Sequence, residues 1–137
     1  MFRLNDVGSI RTLTASYGRY GDRGWNDKTV ELNNLGQIFR LDARWTCVTM
    51  GVDVSGLDNV VDMLGKASSL DFAMHSFTNP IIDLDGDMAT GHWLLWVAVK
   101  TGEKADQVFQ SEELTCRRIA GGWRIRSIDL HFGSMLK

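Results

Sequence analysis

The chain has 137 residues, of which 44% are hydrophobic, 23% charged and 9% aromatic. Its 15 Lys and Arg against 17 Asp and Glu leave a formal net charge of −2. That length suits one domain, residues 1–137, with a full core of its own. The composition excludes disorder, collagen and coiled coil, and the acidic balance excludes a broad nucleic-acid footprint.

From Asp6 onward, Val7, Ile10, Leu13, Tyr17 and Tyr20 recur at spacings of three and four. They form one apolar stripe on a helix. Asn5 or Asp6 can cap its first turn. Gly18, Gly21 and Gly24 crowd its far end and stop it near Tyr20 to Asp22. A short second helix is expected next, capped by Asn26 or Asp27, burying Val30, Leu32 and Leu35 and ending at Gly36. Phe39 to Val52 reads as strand. Ser55-Gly56-Leu57-Asp58 resembles a capping box, with Asp in place of Glu. It opens a third helix carrying Leu57, Val60, Val61 and Leu64, which ends at Gly65.

After Ser69 the period changes to two. His75 to Leu84 and Met88 to Lys100 read as strands, joined through Asp85-Gly86, a strong hairpin signal. Pro80, the one proline, has no N–H for a ladder and belongs at an edge, a bulge or a strand entry. Thr101 to Asp106 reads as a polar loop. Val108 to Ile119 and Trp123 to Phe132 form the last pair, turning on Gly121-Gly122. Helices first and an antiparallel meander afterwards define an α+β domain.

Trp93, Leu95, Val97 and Val99 share one face of a strand, and Leu94, Trp96 and Ala98 share the other. A strand apolar on both faces is covered on both. Helices cover one side only, so a homodimer or homotrimer is expected, with Trp96 at the contact.

Compartment limits the chemistry. The N-terminus, Met1 to Asp6, lacks the apolar centre of a signal peptide. The longest apolar run, Trp93 to Val99, falls well short of the ~20 residues a membrane helix needs. Cys47 and Cys116 show no C-x-x-C spacing, so they read as reduced fillers. A cytoplasmic protein without membrane or nucleic-acid partners is the expectation. His75, His92 and His131 are too scattered for a metal site. Asp83, Asp85 and Asp87 lack the spacing of a calcium loop and read as a solvated turn.

Several local patterns then carry a resemblance. Tyr17-x-x-Tyr20-Gly21-Asp22-Arg23-Gly24-Trp25 ends the first helix, and Leu41-Asp42-Ala43-x-Trp45-Thr46 opens the first strand. His75-x-Phe77-Thr78-Asn79-Pro80, Asp85-Gly86-Asp87-x-Ala89-Thr90-Gly91 and Gly121-Gly122-Trp123-Arg124-Ile125 follow. In this order they resemble the SnoaL-like members of the nuclear-transport-factor-like superfamily, over roughly Ile10 to Phe132. The resemblance implies a cone-shaped α+β barrel, with N-terminal helices packed in a strongly curved, mainly antiparallel sheet.

Within that superfamily the pattern is most similar to the branch of scytalone dehydratase, bile acid 7α-dehydratase and hexachlorocyclohexane dehydrochlorinase. These share an Asp after the first helix paired with a His that begins a strand. Asp22 and His75 match those positions, and Tyr17 matches a Tyr of the bile acid enzyme. The resemblance implies a cofactor-independent lyase or isomerase acting on a small, largely apolar substrate. His75 is then the base and Asp22 orients it, while Tyr17 assists the leaving group or a carbonyl. Trp45, Trp93, Leu95, Val97 and Ile128 are the expected pocket. From the residues alone Tyr17 reads equally as core packing, and a non-enzymatic ligand-binding or accessory domain is the alternative.

Two positions depart from the branch. Ile128 stands where the last strand of the dehydrochlorinase and the bile acid enzyme carries an Arg, with Arg126 two residues earlier. Val99 stands where scytalone dehydratase has a second His, and His92 faces the opposite side. The substrate is therefore not carried over.

Overall fold

A computed structural model describes residues 4–137 of the chain. Met1, Phe2 and Arg3, part of the stretch read above for a signal peptide, lie outside the described residues. The first helix, α1 (Leu4–Gly21), buries Ile10 and Tyr17 and packs Leu13 and Tyr20 against the core. Thr14, also buried, returns its hydroxyl to the Ile10 carbonyl at 3.0 Å.

The next helix starts later than its sequence suggests. Asn26 and Asp27 adopt φ of 53° and 58°, left-handed turn geometry rather than that of a helix cap. Lys28 N–H bonds the Trp25 carbonyl and Glu31 N–H the Tyr20 carbonyl, folding the chain back on the end of α1. Only then can α2 (Leu32–Ile38) begin, and it runs through Gly36. Leu35 is its buried residue, whereas Leu32 is exposed.

The expected strand Phe39 to Val52 is broken in two. β1 (Phe39–Cys47) ends in a 3-10 turn, Val48–Met50. Gly51, at φ 68°, reverses the chain into β2 (Val52–Ser55), antiparallel to β1. Gly56, not Ser55, then caps α3 (Leu57–Gly65), and no side chain bonds the cap.

The last four strands are β3 (Phe72–Asp85), β4 (Met88–Thr101), β5 (Lys104–Ile119) and β6 (Gly122–Leu136). Sheet order is β2-β1-β6-β5-β4-β3, antiparallel throughout except for β1 against β6. The segment expected as a loop at Thr101 to Asp106 is a tight hairpin, paired as far as Thr101 with Lys104 and turned on Gly102 at φ 61°. Pro80 lies where the β3–β4 register slips between Thr78 and Ile81, on an edge strand.

The strong curvature comes from bulges in β6. Its register with β5 slips twice, leaving Arg126 and Gly133 as extra residues. An extra residue bends its strand and flips the alternation of its side chains. Ile125 and Ile128, three apart, are therefore both buried, and Arg126 is exposed. The sheet curls around the helices, and the fold is an α+β cone.

Two contacts hold α1 inside. Asp6 accepts both Arg118 guanidinium nitrogens, at 2.9 and 2.8 Å, and the Trp123 indole N–H at 3.3 Å. At the other end Gly18 meets β3. A Cβ there would lie 2.7 Å from a Phe77 ring carbon and 3.1 Å from the His75 Cβ. Gly18→Ala should therefore destabilise the fold by about 1–3 kcal/mol, overpacking outweighing the ~1 kcal/mol gain in helix propensity. Urea denaturation measures it.

Candidate active site

The turn after α1 places the first functional group. Arg23 and Ala73 form a one-residue antiparallel bridge, with N–H to carbonyl distances of 3.0 and 2.9 Å. Gly24 makes this approach possible: at φ 82°, its Cβ would lie 2.1 Å from the Asp71 carbonyl oxygen. The bridge fixes Asp22, one residue before it, against His75, two residues beyond Ala73.

Asp22 is 1% exposed. Its Oδ1 accepts the His75 main-chain N–H at 2.9 Å and meets the His75 Nδ1 at 2.7 Å. An ionised carboxylate only accepts, so Nδ1 carries the ring proton and Nε2 of the neutral ring keeps its lone pair. A carboxylate after a helix C-terminus faces the negative end of the helix dipole. The two hydrogen bonds from His75 offset that.

The His75 ring lines a cavity of about 300 Å³ together with Tyr17, Trp45, Leu95, Val97 and Leu130. Met50, Leu64, Val108, Gln110, Phe132 and Met135 complete the wall, so the lining is chiefly apolar. Tyr17 stands edge-on to Phe39 with ring centroids 5.9 Å apart, and its centroid is 6.4 Å from that of His75. Its hydroxyl oxygen accepts the Trp45 indole N–H at 3.0 Å. Burial, and next the charge of Glu112, push the Tyr17 phenol above its ordinary range, so it stays a neutral donor.

Of the expected pocket residues, the structure brings Trp45, Leu95 and Val97 to this cavity with His75 and Tyr17. Trp93 and Ile128 do not line it. Trp93 packs edge-on against Phe77, centroids 5.9 Å apart, and its indole nitrogen lies over Gly91, where a Cβ would be 2.9 Å away. Ile128 is fully buried in the core. Arg126, exposed at the bulge, supplies no cation to the cavity.

His92 lies on the outer face near Glu113, at 3.8 Å, and His131 on the same face near Asp129, at 3.3 Å. Asp83, Asp85 and Asp87 are exposed, with Asp87 3.3 Å from Arg118. No group of three or more His, Cys, Asp or Glu among the described residues is placed to hold a metal ion. No helix among them is long and apolar enough to cross a membrane.

One group was missed in the sequence. Glu112 on β5 is 2% exposed, and neither carboxyl oxygen has a hydrogen-bond partner. It is registered between Trp93 on β4 and Leu130 on β6. The signal was the alternation of β5: counting back in twos from the apolar Leu114 and Cys116 turns Glu112 inward.

A curved sheet wrapped on helices, with an Asp–His pair on the wall of an apolar cavity, defines a nuclear-transport-factor-like cone. The SnoaL-like domain family matches residues 3–129, and the chain belongs to that family. No curated protein sequence matches it. Three solved structures illustrate its likenesses. A Novosphingobium aromaticivorans protein provisionally named a scytalone dehydratase is 14% identical, with TM-score 0.85 over 97% of this chain and 87% of that one. An NTF2-like protein with a cystatin-like fold from the same organism is 22% identical, with TM-score 0.81 over 96% and 85%. The hexachlorocyclohexane dehydrochlorinase LinA-type3 of Novosphingobium barchaimii is 16% identical, with TM-score 0.80 over 98% and 90%. At these identities the likeness is one of fold.

Burial raises the Glu112 carboxyl from 4.5 to about 8. The folded protein therefore binds a proton that the unfolded chain releases between those values. Stability is full below pH about 4.5 and is lost as pH rises through about 8. Glu112→Gln has no such titration, so its stability advantage over the native chain should widen from pH 5 to pH 8 by about 3–5 kcal/mol and then level off. Urea midpoints at pH 5, 7 and 9 check this, and a gap constant with pH would contradict it.

Proposed function

We propose that the protein is a cofactor-independent lyase or isomerase of the dehydratase kind, acting on a small, largely apolar substrate. One observation carries this reading: a buried carboxylate holds Nδ1 of a histidine that lines an apolar cavity. His75 Nε2 takes a proton from substrate carbon. Asp22 keeps the ring in that tautomer and stabilises the imidazolium that forms. Tyr17 donates its hydroxyl hydrogen to a leaving group or a carbonyl oxygen. Elimination of water fits these roles first, with cyclisation or a double-bond shift as variants of the same proton abstraction. The family's relatives support the class, since two of the similar structures bear the names of a dehydratase and a dehydrochlorinase.

A second reading, a non-enzymatic ligand-binding or accessory subunit, draws on the absence of an arginine from the cavity lining. The two separate on turnover. A panel of small β-hydroxy ketones and halogenated cyclohexanes should contain a substrate whose rate falls by about 10²–10⁴-fold in His75→Ala and Asp22→Asn. Wild-type rates in both variants, correctly folded, would sink the lyase reading.

The outer face supports an oligomer of this chain. Leu94 is 50% exposed there, with Phe109 beside it and Trp96 half-buried, its indole N–H on Gln107 at 3.0 Å. A second copy covering this apolar strip gives a homodimer or homotrimer. Light scattering should report more than one chain at micromolar concentration, and Leu94→Glu with Phe109→Glu should return monomers.

A further inference from the structure

Four of the residues that line the cavity carry nitrogen or oxygen in their side chains: Tyr17, Trp45, His75 and Gln110. The first three are tied to the protein. The Trp45 indole N–H is spent on the Tyr17 oxygen, and the His75 Nδ1 on Asp22. Gln110 differs, because among the described residues its carboxamide makes no hydrogen bond. An amide set in an apolar wall selects a ligand that offers it a partner over one that leaves it unpaired.

Register fixes where that amide stands. Gln110 on β5 is opposite Leu95 on β4 and Phe132 on β6, and all three line the cavity. His75 on β3 is opposite Val97, itself opposite Val108, two residues before Gln110. Two strand spacings and two residues therefore part His75 from Gln110, about 12 Å between Cα atoms on a flat sheet. The sheet curls around the helices, so the inward ends come closer than that. Tyr17 stands at the His75 end, ring centroids 6.4 Å apart. The cavity thus has two polar ends on an otherwise apolar wall.

Charge is the other constraint. Among the described residues no Lys, Arg, Asp or Glu lines the cavity. A carboxylate or phosphate would leave water there with no cation to receive it, which is costly. A neutral carboxamide offers two donor hydrogens and an acceptor oxygen, so it suits a hydroxyl or a carbonyl.

We propose that Gln110 is a specificity-determining residue, pairing its carboxamide with a second, neutral oxygen function of the substrate. That function is a hydroxyl or carbonyl remote from the carbon that His75 deprotonates. The substrate class is then a small neutral molecule with an oxygen at each end, rather than a carboxylic acid, a phosphate ester or a halogenated hydrocarbon. The inference rests on His75 and Tyr17 holding the reacting end, and it names what the other end holds.

A matched set of probes tests this by binding: cyclohexanone, 4-hydroxycyclohexanone and 4-oxocyclohexanecarboxylate. The hydroxyl of the second is too far from its carbonyl for β-elimination, so it binds unchanged. Methyl signals of Met50 and Met135, both on the cavity lining, report occupancy in an NMR titration. 4-Hydroxycyclohexanone should bind tightest of the three. Gln110→Met, apolar and of similar length, should lower its affinity relative to cyclohexanone by about ten-fold. A relative affinity unchanged in Gln110→Met, a native preference for cyclohexanone or the carboxylate, or no methyl shift from any of the three overturns the proposal. Should the Met variant not fold, the native order decides alone, and the hydroxy ketone in first place supports it. Binding needs no turnover, so this result is separate from the rates of His75→Ala and Asp22→Asn.

Discussion

One wall of the cavity, at His75, is held by a single carboxylate, that of Asp22, buried where a helix end and a strand meet. Alone it is in an unfavourable place, out of water and at the negative end of the α1 dipole. Two hydrogen bonds from one residue, one from the backbone and one from the ring of His75, make the place tenable. The same pair of bonds fixes where α1 stops, which β3 residue faces the interior and which nitrogen of the imidazole is free. The Arg23–Ala73 bridge and the close passes at Gly18 and Gly24 serve this junction. Structure and chemistry are thus set by one interaction.

Beyond the junction, buried polar groups are few inside the cone. Trp45 bonds Tyr17, and Tyr17 packs beside His75. In so apolar a space each proton position matters more than in water, because fewer dipoles screen it. Among the described residues, both Glu112 oxygens and the neighbouring Trp93 indole nitrogen are buried without a hydrogen-bond partner.

The sequence carried the strands and α1 well, because periods of two and of 3.6 survive wherever an element has one wet side. It failed where a single residue changes chain direction. Gly51 divides one apparent strand into two, and the left-handed Asn26 and Asp27 look like helix caps but belong to a turn. In the site, the Asp–His pair was visible through its setting, and the alternation of β4 correctly grouped Trp93 with Leu95 and Val97. Alternation gives the side of a sheet, however, and not the depth along it. Trp93 and Ile128 face inward yet lie in solid core. Glu112 was hidden by its adjacent neighbour Glu113, and only the alternation with Leu114 and Cys116 tells which of the two faces in.

The rim of the cavity differs in character from its floor. Met50, on the 3-10 turn after β1, and Met135, beyond the Gly133 bulge, both line it and are both exposed. Unbranched thioether side chains change shape at little cost. The proton-handling groups are held by hydrogen bonds and tight backbone contacts, while the entrance is soft. For the proposed reaction this would uncouple the geometry at His75 from the size of the substrate, since the methionines can adapt to molecules of different bulk. The same two sulfurs are open to oxidants, and a sulfoxide at either would turn an oily doorway into a polar one.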